Sequence, residues 1–284
     1  KPICQTFGPF GHPALNDTPN LTAKGKVSMF HDPNVSPASA ARIAELNARY
    51  TDCAPHVILE HVLTNDAVGP VAVLSSFGAE AIVLLHMVSI IDCAVPILFI
   101  DTEMLFDETV AYQRQVADYL GLRDVRVIRA ERARVNAHDA DGRLHKTDPN
   151  ACCALRKTEP LQNTLTPFAA WVTGRKRFQG AARAALEIFD ADDAGRIKVN
   201  PLAHWSAHQV QQYMTTHRLP RHPLAAKGYV SVGCAPCTTP VGAGESPRAG
   251  RWRGTAKDEC GIHIVNGRIV PKTTAHVTLN DSKV

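Results

Sequence analysis

No apolar run in the 284-residue chain approaches the roughly 18 residues of a membrane span, so no membrane partner is expected. The opening residues, K-P-I-C-Q-T-F-G-P-F-G-H-P, lack the basic-then-apolar order of a secretory leader. Strong net charge is missing too. A value of +4 argues against a protein that coats nucleic acid, while uneven Arg/Lys clusters suit a small anionic ligand. The chain has no internal repeat and no G-x-x-x-x-G-K-S/T phosphate loop. Gly242-Ala-Gly244 opens like a dinucleotide fingerprint, but Pro247 stands where the third glycine belongs and no strand precedes it. Residues 1 to about 35 are rich in Pro, Gly, Asn and Thr without periodicity and read as a disordered tail, with Met29 as a candidate natural start.

What the chain does have is apolar content, 45% hydrophobic, enough to bury one large core. Ser36-Pro37 opens a helix through Tyr50, serine as N-cap and proline in the first turn, and Pro55 to about Asn65 reads as a second helix. Buried-type strands are expected at Pro70–Leu74, Val95–Ile100, Asp124–Arg129, Ala169–Thr173 and Arg196–Asn200. Helices are expected at Ala81–Ile91, at Asp107–Leu120 and from Ser206, where Gln209 completes a capping box. Asn136–Asn150 reads as a polar loop, and Cys152–Lys157 as helix ending at Pro160. The alternation predicts an α/β fold over residues 36–240, a doubly wound and mostly parallel sheet with helices on both faces, followed by a C-terminal segment, 241–284. Such sheets bind ligands at the carboxyl ends of their strands, so Ser75, Asp101 and Gly174 should ring one pocket. The turn Ser75–Glu80 could offer backbone N–H groups to an anion there, although alone it reads equally well as an ordinary strand–helix connection.

Eight cysteines without a leader point to a reducing, cytosolic setting. A disulfide between the adjacent Cys152 and Cys153 would be strained, and clustered cysteines in such a setting are metal-binding or catalytic. Cys152-Cys153 and Cys234-x-x-Cys237 together supply four thiolates. Neighbouring residues on a helix point about 100° apart, which suits two corners of a cubane better than one tetrahedral ion. Spacing therefore favours iron–sulfur over zinc, with inert buried thiols as a third reading. Cys260 stands apart, near Lys257, His263 and the arginines Arg248, Arg251 and Arg253. Cations lower a thiol pKa, so Cys260 is a candidate nucleophile, set against the plain alternative of a spare surface cysteine. Arg156, Lys157, Arg175, Lys176, Arg177 and Arg183 lie near strand ends or cysteines. Each alone reads as a solvated charge; several converging would grip a phosphate-like dianion through forked bonds.

Taken together, S-S-F-G-A-E (75–80), I-D-T-x-x-L-F-x-E-T (100–109), C-C-A-L-R-K-x-E-P-L (152–161), W-V-T-G-R-K-R (171–177) and the closing R-x-x-R-W…E-C-G-I-H (248–263) resemble the assimilatory adenylyl-sulfate reductases, the cluster-bearing branch of the phosphoadenylyl-sulfate reductases. The resemblance runs from about Val71 to His263. It implies an adenine nucleotide alpha hydrolase-like fold with a modified phosphate loop, and reduction of adenosine 5′-phosphosulfate to sulfite and AMP in sulfate assimilation. It implies Cys260 as nucleophile, passing through an enzyme S-sulfocysteine that thioredoxin (or glutaredoxin) resolves, with Cys260 on a mobile C-terminal segment. By the same resemblance His263 is catalytic; Ser75, Ser76, Phe77 and Gly78 form the loop; Ile100 and Gly174 meet the adenine through their backbones. Lys157, Arg183, Arg248 and Arg251 bind the phosphosulfate, and Cys152, Cys153, Cys234 and Cys237 hold a [4Fe-4S] cluster. Departures from the family pattern at Glu103-Met104 and Phe178-Gln179-Gly180 fall on the nucleotide side, so a 3′-phosphorylated or dual substrate is the first alternative. A tRNA-thiolation enzyme is more distant, since neither a complete Ser-Gly-Gly-x-Asp-Ser loop nor an RNA-binding appendage is visible. A homo-oligomer is compatible with the sequence.

Overall fold

The computed structural model describes residues 37–263 except Ala256 and Asp258. The expected tail at 1–35, the Ser36 cap, the side chain of His263 and residues 264–284 lie outside the described residues. Helices α1 (Pro37–Tyr50) and α2 (Pro55–Thr64) lead into strand β1 (Val71–Leu74), then α3 (Ala81–Ile91), β2 (Ile97–Ile100), α4 (Asp107–Leu120) and β3 (Val125–Ile128). Three short helices follow, α5 (Arg132–His138), α6 (Leu144–Thr147) and α7 (Pro149–Cys153), then a π-helical turn (Ala154–Thr158) and α8 (Glu159–Leu165). Strands β4 (Ala170–Thr173), β5 (Phe189–Ala191) and β6 (Ile197–Val199) and helix α9 (Ala207–Thr216) complete the regular elements.

The strands form one sheet in the order β3-β2-β1-β4-β6-β5, parallel except for the β5–β6 pair. The doubly wound expectation holds. Strands β2 and β4 are buried along their whole length, which is why they read as continuous apolar runs rather than alternating ones. Helix α3 is apolar nearly all round and buried from Ile82 to Ser89. Helix α4 carries Asp107 and Glu108 in its first turn and stops at Gly121, whose φ of 65° a side chain would oppose. The capping box at Ser206 is formed, with Oγ of Ser206 accepting from the N–H of Gln209.

Three expectations need correction. The stretch 136–150 is no plain loop: it ends α5 and contains α6, tied together by Asp139, which accepts from the N–H of Leu144 and pairs with Arg156. Pro160 does not end the helix of Cys152. It sits in the first turn of α8, where the missing N–H costs nothing, and the π turn before it absorbs the change of pitch. The strand near Ile197 is the sixth, because β5 intervenes as an antiparallel edge.

Strand order reverses between β1 and β4, whose register pairs Leu74 with Thr173. The residues that follow, Ser75 and Gly174, therefore leave the sheet side by side at its carboxyl edge. A crevice opens at such a point in a doubly wound sheet.

Candidate active site

A cavity of about 220 Å³ fills that crevice. Ser75, Ser76, Gly78, Ile100, Lys157, Gly174, Arg183, Arg248, Arg251 and Cys260 line it together, although they come from six separate stretches of chain. Two expected contributors do not. The side chain of Asp101 turns away to pair with Arg129 at 2.8 Å. Phe77 points into the core, its ring edge-on to Phe99 with centroids 5.2 Å apart. That packing holds Phe77 at φ 47°, the left-handed region, while Oγ of Ser75 accepts from its N–H at 3.1 Å. Phe77 thus anchors the loop from beneath, and the loop delivers Ser76 and Gly78 to the cavity beside the N-terminus of α3.

Val230 to Gly233, Pro247, Arg248, Arg251, Trp252, Glu259, Cys260 and Ile262 form the opposite wall. An isolated bridge from Leu105 to Cys234 ties this segment to the domain, and a second, from Thr238 to Arg251, folds the segment on itself. Trp252 is its platform: buried, at φ 48°, with Arg251 4.5 Å, Lys257 5.4 Å and Arg248 5.9 Å from its ring centroid. Gly233 makes room for Arg251, since a Cβ there would overlap the guanidinium. Arg251 donates to the carbonyl of Val232, and its Nε is buried without a partner. Arg253, grouped with these by sequence, leaves the site to pair with Glu245 on the surface. Lys176 is neutralised by Glu80 at 3.0 Å, and Arg156 pairs with Asp139 at 2.8 Å, so neither faces the cavity as a spare charge. Arg175, one of the basic residues grouped by sequence, lines the cavity with its Nη2 buried and unpartnered.

Cys260 is 9% exposed and packs against Cys153 and Trp252. Where a mobile segment was expected, the described part of it is docked: Nζ of Lys257 donates to Oδ1 of Asn150 at 2.7 Å and to the carbonyl of Pro149 at 3.1 Å, at the start of α7. The Cys260 thiol is held well below its ordinary range. A hydrogen bond from Cys153 is the main cause, with Lys157 and Arg251 adding to it against the opposing effect of burial. Lys157 stays charged although burial disfavours its ammonium, because Cys234, Cys260 and Cys153 surround it.

Cys152, Cys153, Cys234 and Cys237 line one small cavity with Thr102, Lys157 and Trp252. Helix α7 presents the first pair, with Asp148 capping its N-terminus. The second pair brackets a tight turn, and the hydroxyl of Thr102 lies 3.3 Å from Sγ of Cys234. Burial first, then the neighbouring sulfurs, push the Cys152 thiol up to about 11, and the same causes raise Cys237. Closely grouped thiols whose sulfurs oppose one another's ionisation call for a positive partner, as metal ligands do. Among the described residues no three His, Cys, Asp or Glu side chains group as ligands of a single ion. The donor set fits a multi-iron group taking one thiolate per iron.

Glu259 was not foreseen. Its carboxylate accepts from Nε (2.5 Å) and Nη2 (2.8 Å) of Arg183 and from Nη2 of Arg248 (3.2 Å). Only its place beside Cys260 and downstream of the arginines marked it in sequence.

The model of the phosphoadenosine phosphosulfate reductase domain matches residues 70–240. An adenosine 5′-phosphosulfate reductase of Mesorhizobium japonicum is 47% identical, over 79% of this chain and 88% of that protein. One from Chelativorans sp. is 45% identical, over 78% and 90%. A phosphoadenosine 5′-phosphosulfate reductase of Gloeobacter violaceus is 37% identical, over 78% and 93%. Among solved structures, the phosphoadenylyl-sulfate reductase of Candida auris in its phosphate complex superposes with a TM-score of 0.60 at 25% identity, covering 76% of this chain and all of that one.

Proposed function

The chain belongs to the phosphoadenosine phosphosulfate reductase family, and we propose that it reduces adenosine 5′-phosphosulfate to sulfite and AMP in sulfate assimilation, with Cys260 as the nucleophile. The observation that carries this is the position of Cys260, which lines the same cavity as Lys157, Arg183, Arg248 and Arg251. Ser76, Gly78 and the start of α3 face the nucleotide's phosphate. Ile100 and Gly174 offer backbone groups to the adenine, and His263 serves as a further catalytic group.

The thiolate of Cys260 attacks the sulfate sulfur. A bond forms between Sγ and that sulfur, the S–O bond to the phosphate breaks, and AMP leaves with the electron pair. Lys157 and the arginines offset the charge that gathers on the phosphosulfate oxygens as that bond lengthens. The product on the enzyme is an S-sulfocysteine. A thiolate of reduced thioredoxin (or glutaredoxin) then attacks Sγ of Cys260 and expels sulfite, and the second thiol resolves the mixed disulfide. Two electrons pass from the dithiol to sulfur, and Cys260 returns as a thiolate.

Cys152, Cys153, Cys234 and Cys237 would hold a [4Fe-4S] cluster. When bound it supplies positive charge that keeps its thiolate ligands ionised next to the substrate site. With the Cys153 sulfur so engaged, Lys157 and Arg251 remain to favour the Cys260 thiolate. The relatives at 47% and 45% identity are both named for the unphosphorylated substrate. No helix among the described residues is long and apolar enough to cross a membrane. The test is sulfite release from adenosine 5′-phosphosulfate and from its 3′-phosphorylated form, with reduced thioredoxin. Turnover of the first and at least about tenfold weaker kcat/KM on the second is expected; a preference for the second would reverse the assignment of substrate.

A further inference from the structure

Arg183 and Arg248, two of the cations assigned to the substrate's anion, already hold one. Glu259 takes the forked face of Arg183 through Nε at 2.5 Å and Nη2 at 2.8 Å, and Nη2 of Arg248 at 3.2 Å. Side-chain exposure is 9% for Arg183, 15% for Arg248 and 14% for Glu259, so this pairing is screened from water. The same carboxylate oxygen, Oε1, accepts from the backbone N–H of Cys260 at 3.0 Å. One carboxylate therefore joins the anion site to the residue that carries the nucleophile. Burial works against its charge, but the two arginines hold it ionised, down to about 2.

A phosphosulfate group cannot take the forked face of Arg183 while Glu259 keeps it, and two anions on the same donors repel. We propose that Glu259 is a positioning residue that stands in for the substrate's anion: it keeps Arg183 and Arg248 arranged and Cys260 seated until the substrate displaces its carboxylate, so that filling the anion site frees the nucleophile's segment. This rests on the reading of Arg183 and Arg248 as substrate ligands. The displaced carboxylate drags the Cys260 N–H contact with it, which loosens the segment at the moment the thiol must reach sulfur and, after transfer, present its sulfonate to a second thiol. In the absence of substrate the thiol stays covered.

The test uses the cluster-loaded full chain and its Glu259→Gln variant, which keeps the shape and removes the charge. Two readouts are taken. In steady state with adenosine 5′-phosphosulfate and thioredoxin, KM is expected to fall about tenfold, the weight of a charge-assisted contact, with kcat changing less than KM because bound substrate has already displaced the carboxylate in the wild type. A residue that binds substrate directly would raise KM. In parallel, iodoacetamide labelling of Cys260 without substrate, read by peptide mass analysis, should be faster in the variant by a similar factor. In the wild type, AMP together with inorganic sulfate should speed that labelling toward the variant's rate. A raised KM, or Cys260 labelling unchanged by the substitution, overturns the proposal. If the wild type does not turn over adenosine 5′-phosphosulfate at all, the proposed function fails, and the comparison of labelling rates still decides whether Glu259 seats Cys260.

Discussion

Gly233→Ala separates stability from function in a way few substitutions at this site can. Gly233 does not occupy the left-handed region, so alanine fits its backbone and can even stabilise by about 0.4–1 kcal/mol through the unfolded chain. The added Cβ, however, lands on the guanidinium of Arg251, 2.8 Å from Nη1 and closer still to Cζ and Nη2. The far end of that side chain must swing away, leaving the carbonyl of Val232 and the ring of Trp252, 4.5 Å beneath it. If Arg251 grips the phosphosulfate, losing one charged hydrogen bond costs about 1.5–3 kcal/mol. At about 1.4 kcal/mol per tenfold, kcat/KM should drop roughly 10- to 150-fold. Thermal or denaturant unfolding should meanwhile shift by no more than about 1 kcal/mol. The assay is sulfite release for the wild type, Gly233→Ala, Arg251→Ala and the double variant. Because both changes remove the same cation from the same place, their losses should overlap rather than multiply. A kcat/KM within twofold of wild type, or fully additive losses, would refute the role given to Arg251.

Other consequences are equally direct. Asp139→Ala strips the carboxylate from Arg156, whose side chain is 6% exposed, and should lower unfolding free energy by about 3–5 kcal/mol with an unchanged denaturant slope; a loss below about 1 kcal/mol would contradict a buried pair that matters. His86 and His222 are each lowered to about 4, burial being the main cause. Both stay neutral in the fold and take protons on unfolding between pH 6.5 and 4, so the stability they allow is complete above about pH 6.5 and is lost as pH falls. Each adds a slope of at most about 1.4 kcal/mol per pH unit, and His86→Gln with His222→Gln should flatten the denaturation profile in that window. Cys234→Ser should lose the brown chromophore of the loaded protein while Cys260→Ser keeps it and loses turnover; colour lost in both would make Cys260 a ligand.

The pattern of the chain revealed β2 and β4 because each is short and buried along its whole length, leaving a mostly apolar run that polar turns bracket; β3, an edge strand with Arg126 and Val127 exposed, and β6, with Lys198 inside it, showed through their β-branched residues instead. Helices α3 and α4 were legible to the residue, the first from its continuous apolar character and the second from acidic residues at its start and Gly121 at its end. Strand β5 was not. Its three residues lie in an acidic stretch, and it exists because β6 offers an edge and Asn47 bonds both the N–H and the carbonyl of Phe189. The helix through Pro160 escaped because a π turn is a backbone adjustment that no side-chain pattern announces.

At the site, motif spacing brought out the four cysteines of the small cavity, while Lys157 and the arginines stood out only through the family resemblance. Phe77 belongs to the loop but its side chain serves from the core side, which its place in the motif does not announce. Arg175 read only as one basic residue among several and Glu259 was given no role, since what distinguishes them, an unpartnered buried Nη2 and a carboxylate between two guanidinium groups, exists only once distant segments meet.

The claim on which the rest depends is that Cys260 takes the sulfonate. Cluster-loaded protein incubated with sulfur-labelled adenosine 5′-phosphosulfate and no reductant, then digested and mapped by mass analysis, tests it in one step. One SO₃ group on the peptide bearing Cys260, released as sulfite when thioredoxin is added, is the predicted result. Label on another residue, or none on fully loaded protein, would contradict the account.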